Sequence, residues 1–202
     1  MVYVFDAGHG LTTKGKRSPD HRFFEYWFNR EIVRRVSKQL DELGIKYFYT
    51  YPLEEDYDLS LRTRAQNCNK IAKEFGVGNV LMISVHSNAA GMGDKWMNAK
   101  GFSVWTTKGQ NNSDKYAQIC WNEAKKVCDK YNRTIRKDIY SDGDEDYESN
   151  FTVIYNTICP SFLVELFFYD NQEECEWLLS EEGKQACTEI LVNTIKRIEG
   201  LK

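Results

Sequence analysis

Val2-Tyr3-Val4-Phe5-Asp6-Ala7-Gly8-His9-Gly10 opens as a short apolar, β-rich run and closes on a histidine between two glycines. Its length, its β-branched and aromatic content and its flanking glycines read as a buried strand rather than a helix. The glycines let the backbone bend sharply and let a bulky neighbour approach the imidazole. His9 is thus carried out at the carboxyl end of a strand. There it serves chemistry or a metal, or it simply caps the strand through a backbone hydrogen bond.

Outward from this stretch, residues 11–24 are polar, broken by Gly15 and Pro19, and basic at Lys14, Lys16, Arg17 and Arg22, which predicts a loop. A helix pattern begins at Glu25, with Phe28, Ile32, Val36 and Leu40 on one stripe and Gly44 as its stop. Residues 45–50 read as a second strand. Ser60 caps a helix carrying Leu61, Ala65, Cys68, Ile71 and Phe75. Residues 80–85 are another buried strand, ending at His86, and residues 101–106 alternate as a half-buried one. Ser113 opens a helix with Tyr116, Cys120, Ala124, Val127 and Tyr131 inward. Strands near 152–155 and 162–168 follow, then a last helix through Cys187, Ile190, Leu191, Thr194 and Ile198. Strands alternating with amphipathic helices predict a single α/β domain over residues 1–202, with a mainly parallel sheet.

The acidic stretch 138–150 contains Asp142-x-Asp144-x-Asp146, the start of a calcium loop. The match fails where Tyr147 replaces the turn glycine and Val153 the last glutamate, so a solvated loop is expected. The 202 residues are 42% hydrophobic, 28% charged and 14% aromatic, with a net charge of −3, which gives no electrostatic support for nucleic-acid binding. No apolar run approaches the roughly 18 residues of a membrane span. No secretory signal pattern begins the chain. The six cysteines are scattered with no Cys-x-x-Cys pair, and four of them occupy apolar positions of helix-like stretches. Together these features point to synthesis in a reducing cytoplasm.

In a parallel sheet all carboxyl ends share one edge, where α/β proteins place their sites. His9 and His86 both follow apolar strands, and Glu25 opens the helix after the loop that returns from His9. Two histidines and a carboxylate with an open fourth position form a catalytic rather than a structural zinc set. Glu25 has another explanation, because negative charge is favoured at a helix N-terminus. Glu165 lies inside Phe162-Leu163-Val164-Glu165-Leu166-Phe167-Phe168, otherwise wholly apolar. A buried carboxylate needs either a salt bridge to a core arginine or a chemical role, such as a general base with a raised pKa. His21 sits mid-loop in polar company and reads as a surface residue.

These residues fall in an ordered series: Asp6-Ala7-Gly8-His9-Gly10; Glu25-x-x-x-Asn29; Ser60-Leu61-x-x-Arg64 with Asn67; Ile83-Ser84-Val85-His86-Ser87-Asn88-Ala89; and Pro160 through Phe167 with Asn171. The series resembles the zinc-dependent N-acetylmuramoyl-L-alanine amidases of the amidase-3 type. The resemblance implies a six-stranded sheet with helices on both faces, one zinc ion held by His9, Glu25 and His86, and Glu165 as catalytic carboxylate. It implies a peptidoglycan substrate, cleaved at the amide between N-acetylmuramic acid and L-alanine. Synthesis without a secretory signal suits an endolysin released at lysis, or equally a lone catalytic domain. Another zinc peptidase, carboxypeptidase-like, or a non-catalytic wall-binding module are the alternatives. Two departures crowd the rim: Ala7 stands where the family usually has proline, and Phe167-Phe168-Tyr169-Asp170 replaces a smaller glycine-containing turn. The basic loop from Lys14 to Arg22 is expected to hold the stem's carboxylates, and Trp105, Phe167 and Tyr169 to pack on the sugar.

Overall fold

A computed structural model describes residues 1–92, 94–141 and 143–201. The opening stretch forms strand β1 (Val2–Ala7), and α1 (Glu25–Glu42) follows the basic loop. Next come β2 (Tyr47–Tyr49), α2 (Leu61–Phe75), β3 (Val80–Asn88), β4 (Ser103–Thr106) and α3 (Asp114–Lys130). The chain ends with β5 (Tyr147–Glu148), α4 (Thr152–Tyr155), β6 (Ser161–Phe168), α5 (Gln172–Leu179) and α6 (Glu181–Ile198). Among the described residues, the strands form one six-stranded sheet in the order β2-β1-β3-β6-β4-β5. β2, β1, β3 and β6 run parallel, whereas β4 lies antiparallel to β6 and carries β5 alongside it. The α/β class, the mainly parallel sheet and the helices on both faces are as the sequence predicts.

Successive side chains of a strand point to opposite faces, so each strand feeds two cores. Tyr3, Phe5, Leu81, Ile83, Phe162 and Val164 pack against α1, α3 and α6. Val4, Val80, Met82 and Leu163 pack on the other face against Cys68 and Ala72 of α2 and Val153 and Ile154 of α4. The expected stripe Phe28, Ile32, Val36 and Leu40 is fully buried, and Gly44 ends its helix in the left-handed region, with φ of 65°. The Ser60 hydroxyl accepts from the Thr63 amide at 3.2 Å, which confirms the expected cap of α2.

Two local expectations are corrected, and one further helix is added. Residues 152–155 form a helical turn, not a strand. Val153 and Ile154 are adjacent and both buried, which a helix permits and an alternating strand does not. Thr157 Oγ1 and Asn156 Nδ2 also donate to the Val153 and Thr152 carbonyls, satisfying the end of the turn. The acidic stretch is not wholly a solvated loop either. It contains β5, and Asp146 is buried, accepting from Thr106 Oγ1 at 2.6 Å. Asp142 lies outside the described residues. Finally, α5 precedes the last helix, capped by Asn171, whose side chain accepts from the Glu174 amide at 3.1 Å.

The end of β6 breaks its alternation. Leu166 and Phe167 both enter the larger core, Phe167 at φ 64°, and the pairing with β3 shifts register between His86 and Asn88. Such a bulge bends the strand and re-aims the side chains around it. Here it follows Glu165 directly. Glu174 holds the bulge in place, its carboxylate accepting from the Phe168 amide at 2.8 Å and from the Gly101 amide at 2.9 Å.

Candidate active site

β1, β3 and β6 end side by side, so His9, His86 and Glu165 share the carboxyl edge. Residue by residue, β3 aligns His86 opposite Glu165 of β6. Glu25, the first residue of α1, is 1% exposed and reaches in from above the β1 end, with its amide held to the Lys16 carbonyl at 2.9 Å. Its Oε1 stands 3.4 Å from His9 Nε2, 3.2 Å from His86 Nδ1 and 3.2 Å from the Ser87 amide. One donor atom from each of His9, Glu25 and His86 lies within 4.8 Å of the others. Among the described residues, these three are the cluster of His, Cys, Asp and Glu able to hold a metal ion.

The glycines meet the expectation in part: Gly8 admits a bulky neighbour, but the left-handed bend is not made by a glycine. The left-handed residue of the turn is His9 itself, at φ 65°. Gly8 is needed for space: a Cβ there would sit 2.2 Å from His86 Cε1. The two imidazoles then meet edge to face, their centroids 4.9 Å apart. The strained turn is clamped by its carbonyls. Arg64, fully buried on α2, donates to the Ala7 carbonyl at 2.7 Å and to the His9 carbonyl at 3.3 Å. The Tyr51 hydroxyl donates to the His9 carbonyl at 2.7 Å and accepts from Arg64 at 3.1 Å. Asp6, also fully buried, pairs with Arg64 at 3.1 Å and accepts from Thr50 and Ser84 at 2.7 and 2.8 Å. Burial alone would raise the Asp6 pKa; the Arg64 charge and the two hydroxyls outweigh it and hold it below the usual range.

The two site carboxylates are driven apart. Burial raises the Glu25 pKa, but hydrogen bonds and charge from His86 and His9 more than offset it, so Glu25 stays ionised. Burial, and then the Glu25 charge, push the Glu165 carboxyl well above its usual range, with Lys16 pulling weakly the other way. Glu25 Oε2 and Glu165 Oε2 are buried without a hydrogen-bond partner. A buried oxygen left so is costly unless something else binds it. Lys16 Nζ, at 3.8 Å from Glu25 Oε2, is too far for a hydrogen bond and half in solvent. No arginine pairs with Glu165 among the described residues, so the alternative of a core salt bridge is set aside.

A cleft of about 470 Å³ opens over this edge, lined in part by Lys14, Lys16, Asn88, Glu165 and Tyr169. Other expected rim residues lie elsewhere. Arg22 is held by Asp20 at 2.6 Å. His21 is, as expected, exposed, and it lies outside the histidine–glutamate cluster. Phe167 is fully buried in the core. Trp105 packs on Tyr147 and Phe151 with centroids 4.7 and 5.4 Å away. The antiparallel pairing sets Trp105 opposite Leu163, two residues back from Glu165, so β4 carries it away from the carboxyl edge. Sequence reasoning did not reach Asp6, Tyr51 and Thr50 as supports of the site. For Asp6 the signal is present: it is a carboxylate in an apolar strand, as Glu165 is.

Fold and site together define a hydrolase of α/β architecture built around a candidate metal centre. The chain belongs to the N-acetylmuramoyl-L-alanine amidase family, whose model matches residues 4–197, and is thus a peptidoglycan hydrolase acting on the cell wall. Solved structures share the fold. The catalytic domain of CwlV, the N-acetylmuramoyl-L-alanine amidase of Bacillus (Paenibacillus) polymyxa var. colistinus, is 21% identical with a TM-score of 0.79, over 100% of this chain and 99% of that one. The N-acetylmuramoyl-L-alanine amidase of Clostridium difficile 630 is 22% identical, also at 0.79, over 100% and 97%. The catalytic domain of the CD27L endolysin, which targets Clostridia difficile, is 17% identical at 0.64, over 97% of each chain. No curated protein matches the chain. No helix among the described residues is long and apolar enough to cross a membrane.

Proposed function

We propose that residues 1–202 act as one catalytic domain, a zinc-dependent amidase in which His9, Glu25 and His86 hold one metal ion and Glu165 moves the proton. The observation that carries this reading is the pair of buried, unpartnered carboxylate oxygens beside two imidazoles at one sheet edge. Two neutral nitrogens and one ionised carboxylate suit zinc and leave a position open. When bound, zinc polarises a carbonyl as a Lewis acid and lowers the pKa of water.

The chain's own residues supply the rest. Glu165, across from His86, takes a proton from the attacking water as its oxygen adds to the amide carbon. It then returns that proton to the leaving nitrogen as the carbon–nitrogen bond breaks, giving a carboxylic acid and a free amine. Burial in the apolar strand raises the affinity of the Glu165 carboxyl for that proton. Lys14 and Lys16 line the same cleft and suit the anionic peptide stem through charge-assisted hydrogen bonds. Tyr169 is the one expected aromatic residue that remains on the cleft wall.

Six free, buried cysteines support synthesis in a reducing cytoplasm and delivery to the wall from within, as an endolysin is delivered. Digestion of purified peptidoglycan tests the reaction. The amino group of L-alanine should be freed with glycan strands intact, activity should be lost on chelation, and zinc should restore it. New reducing sugar ends would mean a glycosidase, and new peptide carboxyl ends with the alanine amine blocked would mean a peptidase.

A further inference from the structure

Cys68 and Cys159 lie 91 residues apart in sequence, yet their sulfurs are 3.7 Å apart. Cys68 is on α2, four residues beyond Arg64 and therefore on the same helix face. Cys159 immediately precedes Pro160 and the start of β6, the strand that carries Glu165. Both thiols are free, and both sit in the smaller core. Among the described residues, no other two cysteine sulfurs are in hydrogen-bonding contact; Cys120, Cys128, Cys175 and Cys187 belong to the opposite core. Nothing in the amidase chemistry uses the pair.

We propose that Cys68 and Cys159 form an oxidation site, closing to a disulfide when the folded protein meets a small disulfide oxidant such as oxidised glutathione. The sulfurs need to approach from 3.7 Å to about 2.05 Å. Cys159 is the entry point. It is 5% exposed against 0% for Cys68, and it lines a cleft of about 370 Å³ with Ile154, Thr157 and Pro160. The hydrogen bond from the Cys68 thiol also holds the Cys159 pKa down, while that bond and burial hold Cys68 up. The Cys159 thiolate attacks one glutathione sulfur, forming a mixed disulfide and releasing one glutathione. The Cys68 thiol then loses its proton and attacks Cys159 Sγ, releasing the second glutathione. Two thiols are oxidised, one disulfide is reduced, and two glutathione thiols leave. The link would tie the helix that clamps the His9 turn to the strand that carries Glu165, and an enzyme acting on the wall works outside the reducing pool that would reopen it.

The test is thiol counting and peptide mapping on folded protein treated with oxidised glutathione. Two of the six thiols should be lost, with the peptides bearing Cys68 and Cys159 joined and reductant restoring both. In Cys68→Ala, Cys159 should stop as the glutathione adduct; in Cys159→Ser, no thiol should react. Retention of all six thiols, a wild-type product that stops at the adduct, or a link between other cysteines would overturn the proposal.

Discussion

Arg64→Met is the sharpest probe of how the metal-side turn is held. The side chain is fully buried and donates to Leu59, Ala7 and His9 carbonyls, to Asp6 and to Asp58. Methionine keeps most of the volume but leaves Asp6, itself fully buried, with only the Thr50 and Ser84 hydroxyls. Stranding one partner of a buried pair costs about 3–5 kcal/mol. At a urea slope of about 2.5 kcal/mol per molar, the unfolding midpoint should fall by about 1–2 M at pH 7. The pH dependence follows from the sign of the Asp6 shift. In the parent its folded pKa lies below the unfolded value, so its contribution is present at neutral pH and lost as pH falls through the folded pKa. Without the arginine, burial dominates and the folded pKa rises, so the variant gains relative stability as Asp6 takes up a proton. The gap between parent and variant should therefore narrow from pH 7 to pH 4. Adding Asp6→Asn should recover part of the loss, a coupling of roughly 0.5–3 kcal/mol. A loss below about 1 kcal/mol, or one indifferent to both pH and Asp6→Asn, would refute the clamp.

Glu165→Gln should keep the bound metal, read by elemental analysis, while turnover on peptidoglycan falls by roughly a hundred- to ten-thousand-fold. Glu25→Gln should instead lose metal, and the opposite pattern would mean the two carboxylates are exchanged. Burial pushes the Glu174 carboxyl up to about 7 although the Phe168 and Gly101 amides pull it down. A raised folded pKa gives stability that is complete below the unfolded value and lost as pH rises, so about 3 kcal/mol should disappear between pH 4.5 and 7. Glu174→Gln should flatten that part of a stability–pH curve measured by urea unfolding. Phe167→Gly should remove a left-handed backbone strain of about 1–2 kcal/mol but empty a core position worth about 3–5, leaving a net loss of about 1–4. A variant as stable as its parent by thermal unfolding would show that the bulge, not the ring, sets the balance there.

What is legible in the sequence is what local pattern and composition control. Short apolar runs place β1, β3 and β6, and helical spacing places α1, α2 and α3, because burial on both faces of a strand or on one stripe of a helix is written in consecutive residues. A charged residue in an apolar run marks Glu165, because burying it demands a charge partner or a chemical role wherever the strand sits. The parallel-sheet rule then brings His9 and His86 to one edge. Only the tertiary structure decided the rest. The reversed direction of β4 moved Trp105 off the site, and the bulge after Glu165 sent Phe167 into the core rather than onto the rim. Residues 152–155 turned helical because α2 and the Asn156 and Thr157 caps outweigh a β-branched preference of short range. Arg64, Tyr51 and Asp6 became a clamp on His9 through contacts 13 to 58 residues apart in sequence. Such contacts carry no periodic signal, since each depends on where two separate elements come to rest against the sheet.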